Sequence, residues 1–443
     1  MSNLDPLELI TLALIGLICI GILVRNWRAG ASAIWAPTSL MAVLYLYYVV
    51  IGPLYFVAKQ RTDFLGIDLS EHLGLAWVAS LVALLSFLVG YAIKPPPLRA
   101  IGFQIERRHA EKLTLLTLAV TAFAFLYQRI ASGGGVLSGY LANSINLSIP
   151  GAILAMLLYM REKSLKHGII FSGITILAMS FFLYSGFRFR IVWLFLALLA
   201  AFYLWRRVRP NPLLIAGLGT ILLLGMGFIG MTRSYWKGLS IERAEGAGVA
   251  DMMARGFSEA GTFLASASVL EAVPARINHT YFDPIWVAIT FPIPRKLWRG
   301  KPESQTLVAM KWSFGSKDAA FAGQAVPYYI EWYIAFGWIG LIGSSVGLGW
   351  LCRRLWVWYL ERRVDPLATM IYTTTLGYLY FVFSRGYLPM AVMGFLFGIF
   401  PFFLLRRYLA KRAALASGPL GRPPVEAKRV MRRSGMNRLR RHP

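Results

Sequence analysis

The chain has 443 residues, 57% of them hydrophobic and 15% charged, and its formal net charge is +26. Apolar runs recur along it at about 20 residues, which is the length of helix that crosses a bilayer. This composition excludes a soluble globular protein and predicts an all-α polytopic membrane protein.

About eleven transmembrane helices are predicted. They lie near residues 7–24, 34–57, 73–93, 113–131, 145–160, 168–185, 187–205, 212–231, 325–351, 366–383 and 387–405. The first eight fall within residues 1–231 and the last three within 325–405, with a long segment, 232–324, between the two groups. A basic tail, 406–443, contains several prolines and is predicted to be disordered against anionic lipid headgroups.

The positions of Lys and Arg predict the orientation of these helices. Alternate loops carry basic clusters, as at Arg25 and Arg28, Arg107 and Arg108, Arg161 to Lys166, Arg206 to Arg209, Arg353 to Arg363, and the tail. Short loops that retain Lys and Arg are typical of the cytoplasmic side. We therefore expect the C-terminus inside and the N-terminus and residues 232–324 outside. Most of the net charge is then a topology signal, which argues against nucleic acid as a partner.

The 232–324 segment is too long to be an ordinary connection, and long loops are usually functional. Residues 251–273 have apolar side chains at helical spacing, among them Met253, Phe257, Phe263 and Leu264, and are predicted to form a helix on the membrane surface. Residues 282–294, bounded by Pro284 and Pro294, are too short to cross the bilayer, and a re-entrant segment is predicted there.

Several cations lie on the predicted outer side, where the charge rule disfavours them. Residues 291–302, FPIPRKLWRGKP, contain Arg295, Lys296, Arg299 and Lys301 together with Trp298. A rigid basic cluster there indicates an anionic ligand such as a lipid phosphate or pyrophosphate.

The second group of outer cations lies near the ends of predicted helices. From Ile191 to Trp205 only fifteen apolar residues are available, about 22 Å of helix, so the span must extend back over Arg188 and Arg190. Arg233 and Arg385 occupy the same depth. The alternative to a ligand site is that these side chains reach out to the lipid headgroups.

Glu331 is the carboxylate to which the sequence draws most attention, because it lies inside an otherwise apolar span. It is a candidate general base, with a structural ion pair to an outer arginine as the alternative. Tyr328, Tyr329 and Trp332 beside it, and Trp298, offer flat surfaces suited to sugar rings, or else form an interfacial aromatic belt. His279 is the one histidine of the 232–324 segment and a second catalytic candidate, although a lone loop histidine is often incidental.

Several common motifs are missing from the chain. It has no HExxH, no GxxxxGK[ST], and no cluster of His or Cys of the kind that holds a metal. We therefore predict no metal and no cofactor, and a reaction energised by an activated lipid whose pyrophosphate leaving group is bound by cations.

Three stretches resemble the bacterial oligosaccharide repeat-unit polymerases, the O-antigen polymerases of the Wzy type. These are SGFRFR at 185–190, similar to the family's Ser-Gly-x-Arg segment; PRKLWRGKP at 294–302, similar to its Pro-Arg-x-x-Trp-x-x-Lys-Pro loop; and an E-x-Y-x-x-F-G-x-x-G pattern at Glu331, Tyr333, Phe336, Gly337 and Gly340. With the late external loop, the similarity covers roughly residues 180–400.

This resemblance implies a metal-independent glycosyltransferase of the GT-C type in the bacterial inner membrane. It would polymerise undecaprenyl-pyrophosphate-linked oligosaccharide units at the periplasmic face into O-antigen, capsule or exopolysaccharide, with a chain-length regulator protein as partner. By the family pattern Arg188, Arg190, Arg295 and Arg299 would contact the pyrophosphate, together with Lys301 and Arg385. Two alternatives remain, a ligase using the same donor and a flippase or transporter.

Overall fold

The computed structural model describes residues 4–64, 67–97, 105–130, 140–141, 143–234, 238–313 and 325–416. Its α-helices are α1 Pro6–Ala29, α2 Pro37–Tyr45, α3 Gly52–Ala58, α4 Leu73–Ala92, α5 Arg107–Ile130, α6 Ser148–Glu162, α7 Leu165–Ser185, α8 Arg188–Arg206, α9 Pro212–Thr232, α10 Val249–Phe257, α11 Gly261–Ala272, α12 Asp283–Thr290, α13 Gln305–Ser313, α14 Tyr328–Leu360, α15 Pro366–Ser384, α16 Leu388–Gly398 and α17 Phe400–Ala416.

Strands are confined, in the described ranges, to two short antiparallel hairpins. They pair β1 Asp63–Phe64 with β2 Ile67–Asp68, and β3 Arg233–Ser234 with β4 Gly238–Leu239. The fold is therefore a helical bundle, and α2 and α3 are joined by a π-helical turn at Leu46–Ile51.

Nine helical segments of the described chain are long and apolar enough to cross a membrane. They are Pro6–Ala29, Pro37–Ala58, Ser70–Ala92, Arg107–Tyr127, Leu165–Ser185, Arg188–Arg206, Pro212–Thr232, Tyr328–Leu360 and Leu388–Ala413. Each coincides with a predicted span, which confirms the all-α polytopic architecture. The predicted total of about eleven, and the GT-C type of fold, stay predictions.

The other two predicted spans correspond to α6 and α15, which form the centre of the bundle. α6 has 15 residues, about 22 Å at 1.5 Å per residue, which is shorter than a hydrocarbon core. α15 is buried along almost its whole length. Trp193 of α8 donates its indole N–H to the carbonyl of Thr374 at 2.8 Å, and Tyr372 donates to the carbonyl of Trp35 at 2.6 Å. Both helices are enclosed by the helices that face outward.

Helix ends that the charge pattern places on one side of the membrane contact each other. Arg107 pairs with Glu162 at 3.3 Å, and Lys166 pairs with Glu111 at 2.9 Å. Arg25 and Arg353 line one cavity of about 400 Å³. The grouping agrees with the predicted alternation of loops, while the identity of the cytoplasmic side stays a prediction.

The predicted surface helix differs from the structure in its second half. Residues 251–273 are helical as expected, but as α10, a one-turn 3₁₀ helix Ser258–Ala260, and α11. Phe263 and Leu264 are 1% and 4% exposed, so α11 is inserted into the bundle and does not lie on the surface. Small residues on all sides of α11, in the run ASAS, allow it to pack closely on several neighbours.

The C-terminal tail begins later than predicted. α17 continues to Ala416, and Arg406 is a buried residue whose Nε donates to Asp365 at 2.8 Å. The remaining residues of the predicted tail, 417–443, lie outside the described ranges.

Candidate functional site

The turn between α7 and α8 places two arginines inside the bundle. Gly186 ends α7 with φ +75°, in the left-handed region where glycine is favoured, and α8 begins two residues later at Arg188. Arg188 and Arg190 are 5% and 4% exposed. The prediction that this helix extends back over both arginines is therefore confirmed. Both side chains point into the bundle, which disagrees with the alternative that they reach out to the lipid headgroups.

Glu259, in the 3₁₀ turn between α10 and α11, joins arginines from two distant parts of the chain. One carboxylate oxygen pairs with Nη2 of Arg188, and the other accepts from Nη2 of Arg385 at 2.8 Å. Arg188 also donates from Nη1 to the carbonyl of Met226 at 3.1 Å. Arg233 lies close enough to act electrostatically on the same carboxylate. The structure thus brings together Arg188, Arg385 and Arg233, which the sequence predicted to share one depth.

Glu259 is ionised at neutral pH despite its burial. Burial alone would raise its pKa, but the charges of Arg385, Arg188 and Arg233 outweigh that effect and hold the pKa below the ordinary value. Arg188, Arg233 and Arg385 with this one carboxylate leave two net positive charges around Glu259. Such an excess is costly unless an anion completes it.

Four buried N–H positions of these arginines have no hydrogen-bond partner within the described residues. They are Nε of Arg188, Nε and Nη1 of Arg190, and Nε of Arg385. The guanidinium of Arg190 lies among the rings of Phe181, Phe182, Phe187 and Phe189, with its central carbon 5.1–6.0 Å from their centroids. The rings attract the cation but accept no conventional hydrogen bond. We call Arg188, Arg190, Arg233, Arg385 and Glu259 the arginine cluster.

Glu331 is held by the segment that carries Arg385. Its carboxylate is 2% exposed and accepts from the backbone N–H of Leu388 at 2.8 and 2.9 Å, one distance for each oxygen. Leu388 is the first residue of α16, so Glu331 caps that helix and fixes the turn that begins at Arg385. In the structure the partner of Glu331 is this backbone amide. The alternative, an ion pair between Glu331 and an outer arginine, is not formed in the described part of the chain.

His279 is held at a break in α14. Phe336 and Gly337 leave helical geometry, and Gly337 has φ +62° and ψ −147°, a region open almost only to glycine. The break frees carbonyl groups, and Thr280 and Tyr281 donate their backbone N–H groups to the carbonyls of Ile334 and Ala335 at 3.0 and 2.9 Å. Nδ1 of His279 lies 3.2 Å from the carbonyl of Ile334. This contact gives the histidine a structural role, and its catalytic role stays a prediction.

The basic loop, residues 291–302, contains two cations that bind its own backbone carbonyls. Lys301 donates to the carbonyls of Thr290, Phe291 and Ile293 at 3.0–3.2 Å, at the end of α12, and its pKa is lowered by burial and by Arg295. Arg295 donates to the carbonyl of Lys301 at 2.7 Å. Lys296 and Arg299 are exposed. The loop approaches the turn after α15 through the ring contact of Phe291 with Tyr387, 6.1 Å between centroids.

Two of the four aromatic residues that were predicted to bind sugar rings, Tyr328 and Tyr329, are buried. Tyr328 and Tyr329 are 5% and 2% exposed, and their hydroxyl groups hydrogen-bond to Ser345 and Ser80 in the core. The prediction that they bind sugar is wrong for this structure, because no face of either ring is open. Trp332 and Trp298 are half-buried, and their role as sugar-binding residues stays a prediction.

A histidine and carboxylate cluster lies at the other end of the bundle. Ligand atoms of Glu111, Glu162 and His167 lie within 4.8 Å of one another. Arg107 and Lys166 already neutralise these carboxylates, at distances of 2.7–3.3 Å. We therefore do not assign the functional site there.

The sequence interpretation missed Glu259 and the tyrosines around it. Tyr48 and Tyr380 place their hydroxyl oxygens 3.1 Å apart, and both lie within electrostatic reach of Glu259. Tyr48 belongs to the π-helical turn, a feature often found at functional sites. The only local signal for Glu259 was a carboxylate in the otherwise uncharged stretch from Gly256 to Leu270.

Comparisons with models of protein families, with curated proteins and with solved structures found no match to this chain. The resemblance of its three motifs to the O-antigen polymerases therefore stays a prediction, and functional conclusions depend on the site itself.

Proposed function

We propose that this protein is a membrane glycosyltransferase that polymerises undecaprenyl-pyrophosphate-linked oligosaccharide units at the periplasmic face of the bacterial inner membrane. The observation that carries the proposal is the arginine cluster, with its surplus of buried positive charge and four N–H positions without a partner in the described chain. Phosphate oxygens are the acceptors that best match several guanidinium groups.

The arrangement suits stabilisation of a leaving group. When the glycosidic bond to the lipid breaks, negative charge develops on the pyrophosphate, and fixed cations in a water-poor site stabilise it without reorganising. Arg188, Arg190 and Arg385 take this role in the proposal, with Arg295 and Arg299 of the basic loop as further phosphate contacts. Glu331 is our candidate for activating the acceptor hydroxyl.

Two alternative functions are a flippase and a ligase. The flippase fits the cluster less well, and the ligase fits it equally well. A flippase would need cations along a path through both leaflets, whereas these arginines gather near one end of their helices. A ligase would use the same donor, and only the product separates it from a polymerase. Loss of a polymerase leaves single repeat units on the final acceptor, whereas loss of a ligase leaves long chains on the lipid carrier.

The test is Arg188→Ala in a strain that lacks the gene, with Arg206→Ala as the matched control at the exposed opposite end of the same helix. Arg188→Ala should remove long glycan chains, because a contact to a charged group is worth about 1.5–3 kcal/mol, or roughly ten- to hundred-fold in rate for each contact. Arg206→Ala should retain them. Normal chains in folded Arg188→Ala protein would refute the proposal.

A further inference from the structure

We infer that Glu259 occupies the place of a phosphoryl group in the arginine cluster and is displaced when the pyrophosphate binds. The inference rests on the proposed function and adds a device that controls access to the site. In the structure the carboxylate gives one oxygen to Arg188 and the other to Arg385, the same bridging arrangement that two oxygens of a phosphoryl group would make.

The charges favour exchange over permanent pairing. Arg188, Arg233 and Arg385 carry two more positive charges than the Glu259 carboxylate balances, and a pyrophosphate carries more negative charge than a carboxylate. Replacing Glu259 by pyrophosphate therefore brings the buried group closer to balance. It also supplies acceptors to the Nε–H groups of Arg188 and Arg385, which have none in the described chain.

The surroundings provide a place for the released carboxylate. The hydroxyl groups of Tyr48 and Tyr380 form a pair beside Glu259, and each can donate a hydrogen bond to a carboxylate. A released side chain would therefore stay hydrogen-bonded inside the protein.

The backbone next to Glu259 is held by two contacts. The 3₁₀ turn is packed against Gly52, the first residue of α3, because a Cβ built there would overlap the Cβ of Ala260. Tyr47 also donates to the carbonyl of Gly256 at 2.7 Å. Exchange would therefore be a rotation of the Glu259 side chain between the arginines and the tyrosine hydroxyls, without a helix movement.

Binding of inorganic pyrophosphate to the purified full-length protein tests the inference. Glu259→Gln removes the competing charge and should bind pyrophosphate roughly ten- to hundred-fold more tightly than the wild type. Glu271→Gln is the matched control, because Glu271 lies on α11 and pairs with Arg276 outside the cluster. It should bind as the wild type does.

Glu259→Asp keeps the measurement possible if the glutamine variant fails to fold. Its shorter side chain cannot bridge both arginines, so it should bind pyrophosphate more tightly than the wild type by a smaller factor. Equal or weaker binding by the folded variants, with wild-type protein binding normally, would overturn the inference and leave the proposed function standing. Absence of binding by wild-type and variant proteins alike would overturn both.

Discussion

Replacing Arg190 by methionine should remove function while leaving the protein as stable as before, or more stable. The guanidinium is 4% exposed and two of its nitrogens, Nε and Nη1, have no partner in the described chain. An unsatisfied buried donor costs about 1–3 kcal/mol, and contacts with aromatic rings return about 0.5–2 kcal/mol. Methionine has a similar length and buries no polar group. Two such donors less the ring contacts give a change in the free energy of unfolding of about 0 to +5 kcal/mol for Arg190→Met.

Arg406→Met is the matched control for this prediction. Arg406 is also buried, at 7% exposed, but its Nε donates to Asp365 at 2.8 Å. Its removal leaves the Asp365 carboxylate, 1% exposed, without this partner and should destabilise the protein by about 3–5 kcal/mol. The two substitutions are chemically identical, so their difference isolates the effect of having a partner.

Two measurements are needed for each variant. Unfolding by titration with a denaturing detergent gives the change in stability, and glycan chain length in a deletion strain gives function per folded molecule. We expect Arg190→Met to unfold at or above the wild-type midpoint and to make no long chains. If it is destabilised as strongly as Arg406→Met and loses polymer only in proportion, Arg190 is a structural residue and the reasoning fails.

Two further predictions concern Glu331 and the orientation of the chain. Glu331→Gln keeps an acceptor for the N–H of Leu388, so the variant should fold normally; if Glu331 is the general base, polymer per folded molecule should fall by about two to four orders of magnitude. Normal polymer would leave it the role of a helix cap alone. A reporter that is active only outside the cytoplasm should be active when fused after Gly246 and silent after Lys163, and the reverse pattern would remove the basis for a periplasmic site.

Much of the cluster could be predicted because helix length constrains where a charge must lie. The apolar run after Arg190 is too short to cross a bilayer, so extension of the helix back over Arg188 and Arg190 follows from counting residues, whereas their burial was one of two alternatives. The motif glycines were also informative, since Gly186 and Gly337 lie at a tight turn and at a helix break. The length of a helix and the position of a turn can be inferred from the spacing of nearby residues.

The partners of these residues could not be predicted, because they are set by packing between distant segments. Glu259 meets Arg188 across 71 positions of the chain and Arg385 across 126. Its helix has apolar residues at a spacing that fits a membrane surface as well as a bundle interior. The pairing of Glu331 with Leu388 similarly depends on the start of α16 lying next to Glu331, which no nearby residue in the sequence indicates.

Residues of all three motifs contact the turn from Arg385 to Leu388, either directly or through Glu259. SGFRFR supplies Arg188, which shares the Glu259 carboxylate with Arg385. The basic loop contacts Tyr387 through Phe291, and the third motif supplies Glu331, which caps Leu388. Residues up to about 200 positions away in the sequence therefore hold this short turn in place. Rigid positioning of this kind suits a site that must present several cations to one leaving group, because misplacement of a single guanidinium would weaken every contact that acts with it.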